Sequence, residues 1–219
     1  KDEIVDYFRE PEEKVSVVYN GVDHSVFYPK KVGSLSSAYG SDHVLLYVGS
    51  LLTRKGLRYL FPALRKLNEE ADVRLMIVGD GKPAHRRYVA DLVMENGAED
   101  KVIMAGKVPQ MQLPNLYRAA DAFVLPSLTD SFGKVVLEAM ACGCPVVVTD
   151  AGGVPEVVGD AGLFAKPRDP DSLNAAISRL LEDRRLRDSF GRKASARSRE
   201  FSWAKTAKGY AALYKEIAR

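Results

Sequence analysis

Apolar residues in this chain gather into short runs, interrupted inside by Arg74 alone and led in two cases by His43 or Asp121, and between the runs lie segments in which apolar residues recur every three or four positions. The runs at 43–49, 73–78, 102–105, 121–125, 146–148 and 162–164 have strand length. Continuous apolar character without alternation is what a strand covered on both faces of a parallel sheet requires. The longer spacing predicts helices over 57–69, up to Asn96 with Gly97 as its cap, from a start near Pro114 through Tyr117 and Ala120, after Gly133, over 170–181 and 184–199, and over 203–218, with a helical turn at 154–158. Strand and helix alternate, so the expected fold is α/β, a doubly wound parallel sheet between helical layers. Ahead of the first run, 1–10 reads as a short amphipathic helix with Ile4, Val5 and Phe8 inward, 15–19 as a strand, 20–23 as a turn and 30–42 as a loop.

One stretch, residues 127–148 (SLTDSFGKVVLEAMACGCPVVV), puts chemistry where such a fold binds ligands. With the run before it, it forms a strand–loop–helix–strand crossover unit. The backbone N–H groups near Gly133 and Lys134 stand at the helix start, a ready anion site. Glu138 follows Lys134 by one turn on the same face. Helical side chains lean toward the N-terminus, so its carboxylate reaches back toward that anion. Asp130 lies in the loop at the sheet's C-terminal edge, where open α/β sheets bind ligands. A phosphate flanked by two acids that accept from hydroxyls suits a phosphorylated sugar. A plain crossover helix would instead bury Glu138 without a partner, which is costly. After the first run, Arg54 and Lys55 offer two cations to the same edge, able to neutralise a diphosphate leaving group; a solvated pair is the alternative. Gly79-Asp80-Gly81-Lys82-Pro83-Ala84 matches G-x-G-x-x-A, but it follows the second strand, and the third does not end in an acid suited to a ribose. Dinucleotide binding is therefore set aside in favour of a turn that allows close backbone approach.

At 219 residues, 46% hydrophobic and 28% charged, the chain is long enough for one well-cored α/β domain with a short appendage. Its net charge of +3 is too small to argue for nucleic acid, and the arginines between Arg184 and Arg199 read as a solvated helix face. No apolar run approaches the roughly 18 residues of a membrane span, and no signal peptide opens the chain. Cys142 and Cys144 are one residue apart with no His beside them, a poor spacing for a disulfide or a zinc pair. Buried free thiols in a reducing compartment are expected. His24, His43 and His85 read as surface or loop residues.

These residues resemble the acidic, seven-residue, acidic signature of retaining glycosyltransferases of the GT-B fold, in the family called glycosyltransferase group 1 or family 4. That family usually reads Glu-Gly-Phe-Gly, then a helix carrying a second Glu, then Ala-Met-Ala-x-Gly-x-Pro-Val. Phe132, Gly133, Glu138, Ala139, Met140, Ala141, Gly143, Pro145 and Val146 stand in place, with Asp130 for the first Glu and Ser131 for the Gly. Asn20-Gly21-Val22-Asp23, with Phe27 and Pro29, resembles the crossover that joins the two halves of such enzymes. Phe201-Ser202-Trp203 resembles the closing segment, whose last helix returns to the N-terminal domain.

The resemblance implies a Rossmann-like α/β/α sandwich, one half of a GT-B fold. Residues 1–30 would be an N-terminal helix and interdomain crossover, 31–200 the nucleotide-sugar-binding domain and 201–219 the returning helix, with the acceptor-binding N-terminal half absent. It implies retaining transfer of a hexosyl group from a nucleotide diphosphate sugar, such as a UDP- or GDP-hexose, to an acceptor glycan, lipid or small molecule held by the other half; this chain alone would be inactive. Asp130, Glu138 and Lys55 would carry catalysis. Glu138 would accept from ribose hydroxyls, Asp130 with the backbone of Ser131, Phe132 and Gly133 would hold the sugar, and Lys55, with Arg54 and the helix start at Lys134, would bind the diphosphate. Ser50 stands where the family often has an Arg, which leaves Arg54 as the substitute. Gly79 and Gly81 would approach the donor, and the backbone of Val108 the base. No Asp-x-Asp metal motif is expected in the chain, so leaving-group charge would fall to cations and amides, and no metal or other cofactor is expected. Nucleic acid is not an expected partner. The expected placement is cytoplasmic, with contact at a membrane surface left open. A nucleotide-sugar-binding module without catalysis, or an epimerase or phosphorylase of the same superfold, are the alternatives.

Overall fold

A computed structural model describes residues 1–218. Six parallel strands form its centre: β1 (His43–Val48), β2 (Val73–Val78), β3 (Val102–Gly106), β4 (Ala122–Leu125), β5 (Val146–Thr149) and β6 (Leu163–Ala165). They lie in the order β3-β2-β1-β4-β5-β6. Among the described residues the α-helices are α1 (Asp2–Phe8), α2 (Leu35–Tyr39), α3 (Leu57–Leu67), α4 (Pro83–Glu95), α5 (Leu113–Ala119), α6 (Lys134–Ala141), α7 (Val154–Val158), α8 (Pro170–Glu182), α9 (Arg184–Ser198) and α10 (Trp203–Ile217). Helices α3, α4 and α8 pack together on one face of the sheet, and α5, α6, α7 and α9 on the other. β1, β4 and β5 are therefore covered on both sides. Leu45, Leu46, Phe123, Val124, Val146 and Val147 have no exposed surface, which is why these strands read as unbroken apolar runs.

The chain winds outward from β1 to β3, then returns to lay β4 against the other side of β1, Leu45 opposite Ala122. Loops leaving β1 and β4 diverge at that reversal and open a crevice at the strands' C-terminal ends. Glycines set how close the loops run. Gly56 has φ +74°, and a Cβ there would lie 1.8 Å from the carbonyl oxygen of Pro126. Gly79, at φ +139°, meets the carbonyl of Gly49 at the same distance, so the loops after β1 and β2 also touch. The Leu128 N–H donates to the carbonyl of Arg54 at 2.8 Å, fastening the two central loops just below the crevice.

Four local expectations differ from the structure, all outside the sheet. In α1, Ile4 and Phe8 are exposed and only Val5 is partly buried. Residues 15–19 are extended but pair with no strand among the described residues. They lie instead along the start of α10, where the Thr206 hydroxyl donates to the Tyr19 carbonyl at 2.8 Å and Val18 packs on Gly209. Between 30 and 42 a short helix, α2, replaces the expected loop, because Ser34 caps it by accepting from the Ser37 N–H and Gly40 closes it in the left-handed conformation. The turn after residue 19 falls three residues late. Val22 bridges to Ser202, and the turn bonds run from the Val26 and Phe27 N–H groups to the Asp23 carbonyl. Cys142 and Cys144 are buried free thiols, and burial pushes both thiols well up, Cys142 to about 12. No helix among the described residues is long and apolar enough to cross a membrane.

Gly56→Ala should lower stability by about 2 kcal/mol or more, since it combines a left-handed backbone with a clash against fixed backbone. Gly33→Ala, where nothing lies within 4 Å of the added carbon, should be near neutral. Urea midpoints of the two variants check this; equal midpoints would mean that the β1 and β4 loops are free to separate.

Candidate functional site

The crevice at the β1/β4 reversal is bounded by residues 49–56 after β1 and 126–133 after β4. A short 3-10 turn, Thr53–Lys55, ends at Gly56 and aims Lys55 across the crevice. Its ammonium is 2.5 Å from Asp130 Oδ2, with both side chains largely buried. The other carboxylate oxygen, Oδ1, accepts from the Gly133 N–H at 3.1 Å and the Phe132 N–H at 3.5 Å. Asp130 thus bridges the cation from one loop and the first backbone amides of the other. Burial works to raise its pKa, but the Lys55 hydrogen bond and charge, joined by those two amides, outweigh it and hold the carboxyl below its ordinary value.

Asp130 is held from behind by the loop after β5. The Gly153 N–H donates to the Asp130 carbonyl at 2.9 Å. A Cβ on Gly152 would lie 2.3 Å from that same oxygen, and one on Gly153 2.2 Å from the Ser131 carbonyl. Only glycines let this loop approach, a requirement the pattern of 149–153 did not disclose. The Thr149 hydroxyl donates to the Ser127 carbonyl.

Gly133, at φ +75°, is the N-cap of α6. Its own N–H, expected to be free for an anion, is taken by Asp130; the N–H groups of Lys134 and Val135 behind it belong to the unsatisfied first turn. The Lys134 ammonium lies 5.9 Å from the centre of the Trp203 ring, a cation–π contact that draws it toward α10. Arg54 is exposed; its guanidinium donates to the Thr129 carbonyl at 3.5 Å, and its own carbonyl accepts from the Leu128 N–H. Gly79 and Gly81 lie at the same sheet edge beside the β1 loop, while Val108 follows β3, two strand positions from β1, roughly 10 Å across the sheet. Ser131 is exposed at the crevice rim.

Glu138 is half-buried on α6, one turn beyond Lys134. It does not lack a partner, as the reading of α6 as a plain helix assumed. The Tyr117 hydroxyl, from α5, donates to Glu138 Oε2 at 3.1 Å. Tyr117 was legible as a helix residue but not as the partner of an acid 21 positions on. Burial raises Glu138 above its ordinary pKa, against smaller pulls downward from Tyr117 and Lys134.

Other chemistry-bearing groups lie elsewhere. His43 opens β1 at the sheet's opposite edge, half-buried, 3.7 Å from Asp121 and 3.4 Å from Arg187, so it is neither a loop nor a freely exposed residue. Half-buried His24 has an Nε2 that is enclosed without a partner among the described residues. Asp169-Pro170-Asp171 spells Asp-x-Asp, contrary to the expectation that the chain holds no such motif. There Asp169 caps α8 through the Ser172 N–H, and Asp171 pairs with Lys66. No group of three or more His, Cys, Asp or Glu among the described residues is placed to hold a metal ion.

A doubly wound sheet in this order, with an acid, a cation and a helix start meeting at its reversal, is a Rossmann-like α/β domain with its crevice at the expected edge. The chain belongs to the family described as glycosyl transferases group 1, whose model matches residues 36–197, and it corresponds to the C-terminal domain of a GT-B enzyme. It is 35% identical over 225 residues to an uncharacterised glycosyltransferase of Methanocaldococcus jannaschii, covering 98% of this chain and 57% of that protein. Sucrose-phosphate synthase from Thermosynechococcus elongatus superposes with a TM-score of 0.86 at 28% identity, over 99% of this chain and 56% of the other. HepE of Anabaena, solved in complex with UDP-glucose, gives 0.83 at 25% identity, over 94% of this chain and 58% of that one. The chain spans about half the length of the curated relatives it matches.

The opposite shifts of the two acids have opposite consequences for stability. Asp130, with its pKa depressed, contributes stability at neutral pH that is lost as pH falls through its folded value. Glu138, with its pKa raised, withdraws stability as pH rises through its folded value, so the ligand-free chain at neutral pH holds this carboxylate at a cost. Glu138→Gln should therefore melt at or above the wild type near pH 8, and the gap should close as pH falls toward about 4. Melting curves across that range check it; a variant that melts lower by a constant margin at every pH would show that the charged carboxylate stabilises the free fold.

Proposed function

We propose that this chain is the donor-binding domain of a glycosyltransferase that uses a nucleotide diphosphate sugar, and that the full-length enzyme transfers a hexosyl unit with retention at the anomeric carbon. The observation that carries the reading is the meeting of Lys55, Asp130, the α6 N-terminus and Glu138 at one sheet edge. The family membership and the UDP-glucose complex of HepE support it. A diphosphate entering the crevice finds the free amides of the first α6 turn and the Lys55 ammonium already held within it. Charge-assisted contacts there favour the leaving nucleoside diphosphate as negative charge develops. Glu138 accepts from the ribose hydroxyls, and Asp130 with the neighbouring backbone faces the sugar, while the loops bearing Gly79 and Val108 border the nucleoside. Because Asp130 already engages Lys55, the ligand must share that cation rather than capture a solvated one. The exposed face of α10, with Trp203, Tyr210, Tyr214 and Ile217, suits contact with the acceptor-binding half, and the acceptor itself is the business of that half.

Titration of the 219-residue chain with UDP, GDP and their hexoses should show binding, while no hexose should be transferred to any acceptor by this chain alone. Turnover by the isolated chain, or the absence of any nucleotide binding, would overturn the reading. Lys55→Ala should weaken the bound nucleoside diphosphate about tenfold to a hundredfold and leave the nucleoside nearly unchanged, the loss of one charge-assisted contact. Equal losses for the two ligands by calorimetry would confine Lys55 to holding Asp130.

A further inference from the structure

We propose that Tyr117 is a positioning residue for the nucleotide site: it takes one oxygen of Glu138 inward and leaves the other facing the ligand. This rests on the donor-site reading above. Tyr117 is fully buried, and its ring is packed 5.7 Å from that of Phe123 and 6.3 Å from that of Phe27, centre to centre. So held, the phenol makes a single side-chain hydrogen bond among the described residues, to Glu138 Oε2. Glu138 Oε1 makes none among them, yet it is not one of the enclosed polar atoms left without a partner; it therefore reaches solvent. The two oxygens of one carboxylate are split between the buried phenol and solvent.

The direction of the bond is fixed by the same burial. Desolvation, together with the nearby Glu138 charge, raises the phenol well above its ordinary pKa, so Tyr117 stays protonated and always donates. Its hydrogen bond has two effects on Glu138. It locks the side-chain rotamer, so that the outward oxygen, with two lone pairs, is presented to vicinal hydroxyls. It also favours the ionised form against the burial that opposes it. A phenylalanine at this position would fill the same space and pack on the same rings, and a merely structural role would tolerate it.

The test is Tyr117→Phe, read by calorimetry with UDP and GDP and with their 2′,3′-dideoxy counterparts between about pH 5 and pH 8. The ratio of the two affinities cancels the titration of the phosphates. In the wild type the hydroxylated nucleotide should bind more tightly, with an advantage that fades as Glu138 protonates. Tyr117→Phe should cut that advantage about five- to tenfold and move its acid limb to higher pH, with the dideoxy affinity unchanged. In a Glu138→Gln background the same substitution should add nothing, and this cycle stands as the second measurement if the single variant is poorly folded. A limb that stays in place, or equal losses for both nucleotides, would overturn the positioning role while leaving nucleotide binding intact. No binding by the wild type would overturn both.

Discussion

The approach of the Gly56 backbone to the Pro126 carbonyl is the constraint on which this site depends. Two strands far apart in sequence, β1 and β4, leave the sheet side by side and turn to opposite faces. Their loops would part at once if a side chain stood at position 56, where a Cβ has less than 2 Å of room. Held together there and by the Leu128–Arg54 backbone bond, they diverge one residue higher. That is where Lys55 and Asp130 face one another. Gly152 and Gly153 do for the back of the Asp130 loop what Gly56 does for its front. The crevice is thus shaped by backbone packed on backbone, which deforms less than side chains do.

The electrostatics follow from that geometry. Asp130 is charged and well supplied with donors, so it strengthens the free fold. Glu138 is half-buried with one buried donor, and burial pushes its carboxyl up, so its ionised form weakens the fold. An acid kept ionised against its surroundings is a common mark of a binding group. The contrast between two carboxylates eight residues apart separates their tasks better than their spacing does. Asp130 organises the loop and its cation, and Glu138 is left with an acceptor oxygen that only a ligand or water can satisfy.

Much of the fold was legible because buried parallel strands carry their own signature. The segments 43–48, 73–78 and 146–149 are apolar but for His43, Arg74 and Thr149, and turn residues flank them. The Asp130-to-Glu138 spacing and the helix start at Gly133 were legible for the same local reason. Contacts across large separations were not. Nothing local pairs Tyr117 with Glu138, Lys55 with Asp130, or Gly152 with the Asp130 carbonyl. Val15 to Tyr19 misled because apolar, β-branched sequence fits any extended segment packed on one side, and the partner here is a helix rather than a strand. The Ser/Gly composition of 33–41 hid α2 because its cap, Ser34, and its stop, Gly40, are also the residues of loops.

Those extended residues bear on the site through Phe132. Its ring centre lies 6.2 Å from that of Tyr19 and 6.0 Å from that of Phe201, and Tyr19 and Phe201 meet edge to face at 5.6 Å. Tyr19 is fixed further by its hydroxyl, which donates to Glu156 at 2.6 Å, and Arg197 stacks on Phe201 while donating to the Glu156 and Val157 carbonyls. Phe132 belongs to the loop whose N–H groups hold Asp130. The segment before β1, the start of α10 and the crevice loop therefore share one aromatic contact. A displacement of residues 15–22 relative to the sheet must either open that contact or carry the Asp130 loop with it. Gly21, where a Cβ would lie 2.2 Å from the Trp203 nitrogen, packs the same segment directly on the start of α10. The geometry of the Lys55–Asp130 pair is in this way bound to elements that contribute no polar group to the crevice.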